Sequence, residues 1–152
     1  MEIRDLGAGD LTPAMDMVWR VFSEFEAPDY GDEGIAEFRG YIDAAAMERR
    51  VAAGEIQLWG SFDGARIVGV VATRPPAHLS LLFVDAAHHR RGIARALLET
   101  AKSDGRRNNA GAMTVHSSPY AVEAYRRMGF SPTGPEQTEN GLRFIPMRCP
   151  IE

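Results

Sequence analysis

The stretch Leu81-Leu-Phe-Val-Asp-Ala-Ala-His-His-Arg-Arg-Gly-Ile-Ala-Arg-Ala-Leu-Leu-Glu99 reads as a buried strand, a short basic turn and a helix that opens on glycine. The turn gathers unpaired backbone N–H groups, the positive end of a helix dipole and the arginines Arg90, Arg91 and Arg95 at one point. A phosphate-bearing ligand needs that combination.

Working downstream, Ala94, Leu97, Leu98 and Ala101 form the buried stripe of this helix, and Gly105 with residues 108–111 makes a loop. Residues 112–116 are a short strand. The next helix is capped by Ser118, carries Pro119 at its first position and stops at Gly129, with Ala121, Ala124, Tyr125 and Met128 on its buried face. Residues 130–133 and 142–148 read as two last strands, joined by a polar loop over 134–141.

Upstream, Pro75 and Pro76 separate the strand at 78–85 from residues 66–73, which are apolar on both faces and read as a central strand. Residues 55–62 alternate Ile56, Leu58 and Gly60 against Gln57, Trp59 and Ser61, and Asp63-Gly64 supplies a tight hairpin turn. A first strand at residues 2–6 precedes a helix capped by Thr12, with Pro13 at its first position and Met15, Val18, Trp19, Phe22 and Phe25 on one face. Residues 24–34 mix turn formers with the carboxylates Glu24, Glu26, Asp29, Asp32 and Glu33. A second helix over 35–51 presents Ile35, Phe38, Tyr41, Ile42 and Ala45. The order of elements predicts an α/β (α+β) fold with one mixed sheet.

The chain has 152 residues, 45% hydrophobic and 25% charged, which fits one globular domain spanning 1–152. A net charge of −4 argues against nucleic acid as a partner, because neutralising phosphates takes a basic surface. The single cysteine, Cys149, allows neither an intramolecular disulfide nor a cysteine-based zinc site, and no metal is expected. No apolar run reaches membrane-spanning length and the acidic start is unlike a signal peptide, so the expectation is a cytoplasmic protein without membrane contact.

The glycine-rich nucleotide motifs are missing: there is neither a Gly-x-x-x-x-Gly-Lys-Ser/Thr nor a Gly-x-Gly-x-x-Gly. Instead Val84 is followed by His89-Arg-Arg-Gly92-Ile-Ala94, and later by Ala121-Val-Glu-Ala-Tyr125-Arg-Arg-Met-Gly129-Phe130. This pair of motifs resembles the GCN5-related N-acetyltransferase (GNAT) superfamily over nearly the whole chain. His89 stands where the family usually has Arg or Gln, Ala94 takes the second Gly position, and Ser118 replaces an Asn that many members place on the pantetheine arm.

The resemblance implies a mostly antiparallel central sheet of about seven strands flanked by about four helices. It implies acetyl-CoA as acetyl donor, its pyrophosphate on the turn from His89 through Arg90, Arg91, Gly92, Ile93 and Ala94 to Arg95. It also implies that the backbone of Leu82, Phe83 and Val84 pairs with the pantetheine amides as an added strand would. Ser118 would complete the cofactor site and Tyr125 would be the general acid, unless that tyrosine is core packing with a satisfied hydroxyl. A homodimer is in keeping with the family.

Acetylating an amine calls for a proton for the departing thiolate and a neutral nucleophile. At pH 7 an amine of pKa about 10.4 loses its proton at a cost of about 4.6 kcal/mol. Some relatives carry a catalytic Glu where this chain has Met113, so the base must lie elsewhere, with His116 favoured over His78 and Ser80. The acidic segment 24–33 could attract a cationic acceptor, and Phe25, Tyr30 and Trp59 are candidates to line its pocket. The reading is an N-acetyltransferase acting on a small-molecule or peptide amine. The alternative is a non-catalytic acyl-CoA binding or sensor domain, kept open by Met113 and Ser118.

Overall fold

Strand β4 (His78–Val84) is the axis of the structure, a computed structural model that describes all 152 residues. On one side β4 pairs antiparallel with β3 (Arg66–Arg74), which pairs with β2 (Gln57–Asp63) and then β1 (Glu2–Asp5). On the other side it pairs with β5 (Ala112–Ser117), the one parallel neighbour, and the sheet continues through β8 (Leu142–Pro150) to β6 (Ser131–Pro132). A short β7 (Gln137–Glu139) also pairs with β8, inside the segment expected to be a loop.

Helices α1 (Leu11–Phe25), α2 (Asp32–Tyr41) and α3 (Ala44–Ala52) cover one face, while α4 (Ile93–Arg107) and α5 (Val122–Arg127) cover the other. Each face has its own apolar core, one built on Phe22, Met47, Leu81 and Phe83, the other on Leu79, Leu97, Met113 and Phe130. The class is α/β with a mostly antiparallel mixed sheet, as expected, with one strand and one helix more than the approximate counts.

The extra helix comes from Asp43. Its carboxylate accepts a hydrogen bond from the Ala46 N–H at 3.0 Å, capping α3 and breaking the expected single helix at Ile42. The break rephases the buried face, so Met47 is buried and Ala45 is exposed. Helix α1 likewise starts at Leu11, before Thr12, after a single turn over Ala8–Asp10 in which Asp10 accepts from the Gly7 N–H at 2.8 Å.

Three other expectations change. α4 runs through Gly105, which is buried in the helix, rather than stopping there. In α5 it is Tyr125 that is buried, with Ala121, Val122 and Met128 packed around it, while Ala124 is exposed. In β2 every residue from Leu58 to Phe62 is buried, because helices cover both faces of this internal strand.

One irregularity matters for function. Across β3, Ala72 faces Leu81 and Thr73 faces Leu79, which leaves Ser80 as an extra residue on β4. Such a bulge reverses the side-chain alternation. Leu79 therefore packs toward α4, while Leu81 and Phe83 pack toward α1 and α2.

Candidate active site

Pairing between the parallel strands β4 and β5 is limited to His78 with Thr114 and Leu79 with Val115. Beyond the bulge at Ser80 the edge of β4 has no strand partner, so its backbone groups are free for an extended ligand. A cleft of about 290 Å³ opens at this point, floored by residues 79–83 of β4 and walled by α1, α2, α5 and the β7–β8 turn. The wall is held close because a Cβ on Gly34 of α2 would overlap the Gly141 carbonyl in that turn. Two hydrogen bonds tie the segment after α1 to β8: Arg143 donates to the Asp29 carbonyl at 2.7 Å, and the Tyr30 hydroxyl donates to the Arg143 carbonyl at 3.1 Å.

At the C-terminal end of β4 lies the basic turn. Arg90 and Gly92 both have positive φ, +64° and +78°, and Gly92 caps α4. The first α4 bond runs from the Ala96 N–H to the Gly92 carbonyl, which leaves the N–H groups of Ile93, Ala94 and Arg95 outside the helical ladder. Added to the helix dipole, they are groups of the kind that can receive an anion.

The side chains there behave less uniformly than their sequence suggests. Arg90 and Arg91 are exposed and unpaired, while Arg95 donates to the Arg127 carbonyl at 3.2 Å and so closes the end of α5. Ile93 is buried in the core and Ala94 packs against it. His89 turns inward: its Nε2 lies 2.7 Å from the Val84 carbonyl, so the ring N–H occupies an acceptor on the strand that was expected to meet the cofactor.

The turn is anchored from below. Asp85 is buried and meets His88 at 3.2 Å, Arg20 at 3.3 Å and Arg66 at 3.4 Å, while His88 reaches on to Asp63 at 3.4 Å. Burial alone would raise the Asp85 carboxyl, but the His88 and Arg20 hydrogen bonds and the Arg66 charge hold it below the ordinary value.

In the cleft itself Tyr125 is buried, stacked edge-on against Phe130 at 5.3 Å. No protein group hydrogen-bonds its hydroxyl, which opens toward the cleft. Burial first, and then the charge of Glu26, push its pKa above the usual tyrosine range, so it stays protonated. Glu26 is the residue that sequence reasoning did not single out. Its carboxyl is partly buried at the cleft wall beside Ser118, and desolvation raises its pKa to about 7, opposed by the Ser118 hydroxyl and reinforced by Asp29. The Ser118 hydroxyl also accepts from the Ala121 N–H at 3.3 Å, capping the turn before α5 as expected.

The remaining candidates separate. Tyr30 lines the cleft, with burial first and Glu26 next raising its pKa, and its hydroxyl is taken by Arg143. His116 also lines the cleft, stacked on Phe144 at 4.2 Å and edge-on to His78 at 4.9 Å. Phe25 lies outside, against His89 and Tyr120 at 5.2 and 5.8 Å. Trp59 is buried on the α4 face, because the period of two sets it opposite Leu58. Of the five carboxylates in residues 24–33 only Glu26 reaches the cleft; the other four are exposed outside it. No group of three or more His, Cys, Asp and Glu side chains is arranged to hold a metal ion, and no helix is long and apolar enough to cross a membrane.

Comparison with known proteins agrees with this geometry. The model of the acetyltransferase (GNAT) domain matches residues 26–151. The uncharacterized N-acetyltransferase YafP of Escherichia coli K12 is 26% identical over 140 residues, covering 91% of this chain and 87% of that protein. Among solved structures, a GCN5-related N-acetyltransferase from Rhodopseudomonas palustris superposes with a TM-score of 0.85 at 18% identity, covering 98% of this chain and 94% of that one. The PaiA N-acetyltransferase of Thermoplasma acidophilum, solved in complex with coenzyme A, gives 0.80 at 18% identity and covers 98% of both chains. The matched domain spans every element from the end of α1 onward, including the bulged β4, the basic turn and the Tyr125 helix; the chain therefore belongs to the GNAT acetyltransferase family.

Proposed function

We propose that this acetyltransferase moves an acetyl group from acetyl-CoA to an amine by direct attack, with Glu26 as general base and Tyr125 as general acid. The observation that carries the reading is the pairing of an unpartnered, protonated tyrosine hydroxyl with a carboxyl of pKa about 7 on one cleft. That cleft lies where the β4–β5 pairing stops.

The residues fit the cofactor. The free edge of β4 suits the pantetheine amides, which would meet the Leu82 backbone and the Val84 N–H, while strand alternation turns the backbone groups of Phe83 to β3. The three open N–H groups at the start of α4, with Arg90 and Arg91, suit the pyrophosphate. Bound acetyl-CoA supplies an acyl group on a thiol that leaves as thiolate. Glu26, ionised above about pH 7, takes the proton that the attacking nitrogen must lose. Tyr125 delivers its proton to the leaving sulfur, and Ser118 holds the Glu26 carboxylate beside it.

Glu26 is preferred to His116 as base, because Glu26 is the charge that acts on Tyr125 while His116 is packed between Phe144 and His78. Glu26 also supplies the carboxylate whose loss at Met113 favoured a binding-only protein, and Met113 itself is buried in the core on the α4 side. The test is amine-stimulated release of thiol from acetyl-CoA, beside calorimetric titration with CoA. Release together with binding is the expected result, and binding without release by any amine would turn the reading toward a sensor.

A further inference from the structure

The part of the cleft at the start of β4 has a chemistry of its own. Arg74, the last residue of β3, lies opposite His78 in the β3–β4 register and lines the cleft with it. Of the two arginines there, Arg143 is engaged by the Asp29 carbonyl and by Glu136 at 3.6 Å. Arg74 has no acid partner; its guanidinium rests on the face of Tyr41, 5.3 Å from the ring centre.

Around it sit histidine and aromatic rings and hydroxyls. His78 is held by the Thr114 hydroxyl at 2.8 Å through Nδ1, which leaves Nε2 free. His116 stands edge-on to His78 and is backed by Phe144. The Tyr41 and Ser80 hydroxyls bond each other at the bulge.

No carboxylate forms an ion pair with this group. Besides Glu26, the cleft carries Glu37 and Glu139, both exposed, and neither pairs with Arg74, His78 or His116. Burial first, then His116 and Arg74, hold the His78 pKa down to about 4, with no acidic group acting on it from β3, β4, β5 or α2. Glu26, by contrast, acts on Tyr30 and Tyr125. Arg74 therefore stands in the cleft as a guanidinium with no ion-pair partner, flanked by rings and hydroxyls.

We infer that Arg74, with His78 and His116, forms an oxyanion subsite, so that the acceptor is an amine that also carries a carboxylate or a phosphate. The inference deepens the acetyl-transfer reading and rests on it. An oxyanion would take the fork of Arg74 in charge-assisted hydrogen bonds and accept a hydrogen bond from the free Nε2 of His78. The acidic segment 24–33 does not oppose such a ligand, since four of its five carboxylates point away from the cleft.

The experiment compares ω-amino carboxylates from β-alanine to 6-aminohexanoate, their carboxamides, and O-phosphoethanolamine, using the whole protein. NMR of the histidine ring protons reads binding at His78 without requiring turnover; thiol release reads transfer. We expect an acid-bearing amine to raise the apparent pKa of His78 by about one unit and its carboxamide to leave it in place. We also expect the acid to be preferred by about tenfold in kcat/KM, mostly through KM. Arg74→Gln should bring the acid down to the level of its amide in both readouts, and the better of carboxylate and phosphate names the anion. Acid and amide that behave alike in the wild type, or a preference that survives Arg74→Gln, would overturn the subsite. If acids move His78 while no amine releases thiol, the subsite stands and the transfer reading falls. Equal release by acid and amide leaves transfer standing and removes the subsite.

Discussion

Glu26 owes its proton affinity first to its burial against the cleft wall, with the Asp29 charge adding to it. Tyr125 is complementary, since burial and the neighbouring carboxylate both keep its proton on. Replacing Tyr125 by Phe should lower kcat by about a hundredfold, as loss of a positioned acid does. The affinity for CoA and the thermal midpoint should stay close to wild type, because the hydroxyl has no protein partner to lose; a calorimetric titration and a melting curve check both. Of these two residues only the tyrosine was legible in the sequence. It lies four residues before Gly129-Phe130 in a recognisable pattern, whereas Glu26 follows the last apolar position of α1 among carboxylates of the same type. What distinguishes it is desolvation, which only tertiary packing creates. The places of Phe25 and Trp59, away from the cleft lining, were hidden for the mirror reason, because an aromatic residue gives no sign in sequence of which face or edge will bury it.

At the scale of elements, the basic turn between β4 and α4 is preorganised by two devices. One is the left-handed backbone at Gly92, where a Cβ would meet no neighbouring atom, so that glycine answers to φ alone. Gly92→Ala should therefore cost about 1 kcal/mol of stability and weaken CoA more than it slows turnover at saturation, to be read from denaturant unfolding and calorimetry. The other is the Asp85 cluster. A carboxyl whose folded-state pKa lies below its unfolded value near 3.8 stabilises the fold above that value. The contribution is lost as pH falls through the lower, folded-state value. The gap in unfolding free energy between wild type and Asp85→Asn should thus be full at pH 6 and shrink below pH 4; a gap that does not narrow in acid would contradict this. Motif spacing made the turn and its helix readable, yet it was silent on the clamp, whose partners Arg20, Asp63 and Arg66 come from three separate elements. The split between α2 and α3 was hidden similarly, since a capping Asp43 inside an otherwise helical pattern competes with propensity and wins locally.

Over the whole molecule, function follows from one interruption in a continuous sheet. The extra residue at Ser80 reverses the alternation of β4, and beyond it the parallel pairing with β5 stops, which opens the cleft between two otherwise independent cores. The order of strands and helices could be read from periodicity and turn residues, because those signals are local. A bulge has no local signature in Leu79-Ser80-Leu81, and neither does the meeting of Glu26 and Arg74 on one cleft from different elements. The central claim is that the cleft performs acetyl transfer with Glu26 as base, and the most direct measurement is the pH dependence of kcat/KM for amine-stimulated thiol release, wild type against Glu26→Gln. Since the base works only when ionised, the wild-type rate should climb with pH through a limb near 7, set by the raised carboxyl, and the variant should lose both that limb and at least about tenfold in rate. A variant that keeps the same limb at an undiminished rate would contradict the account.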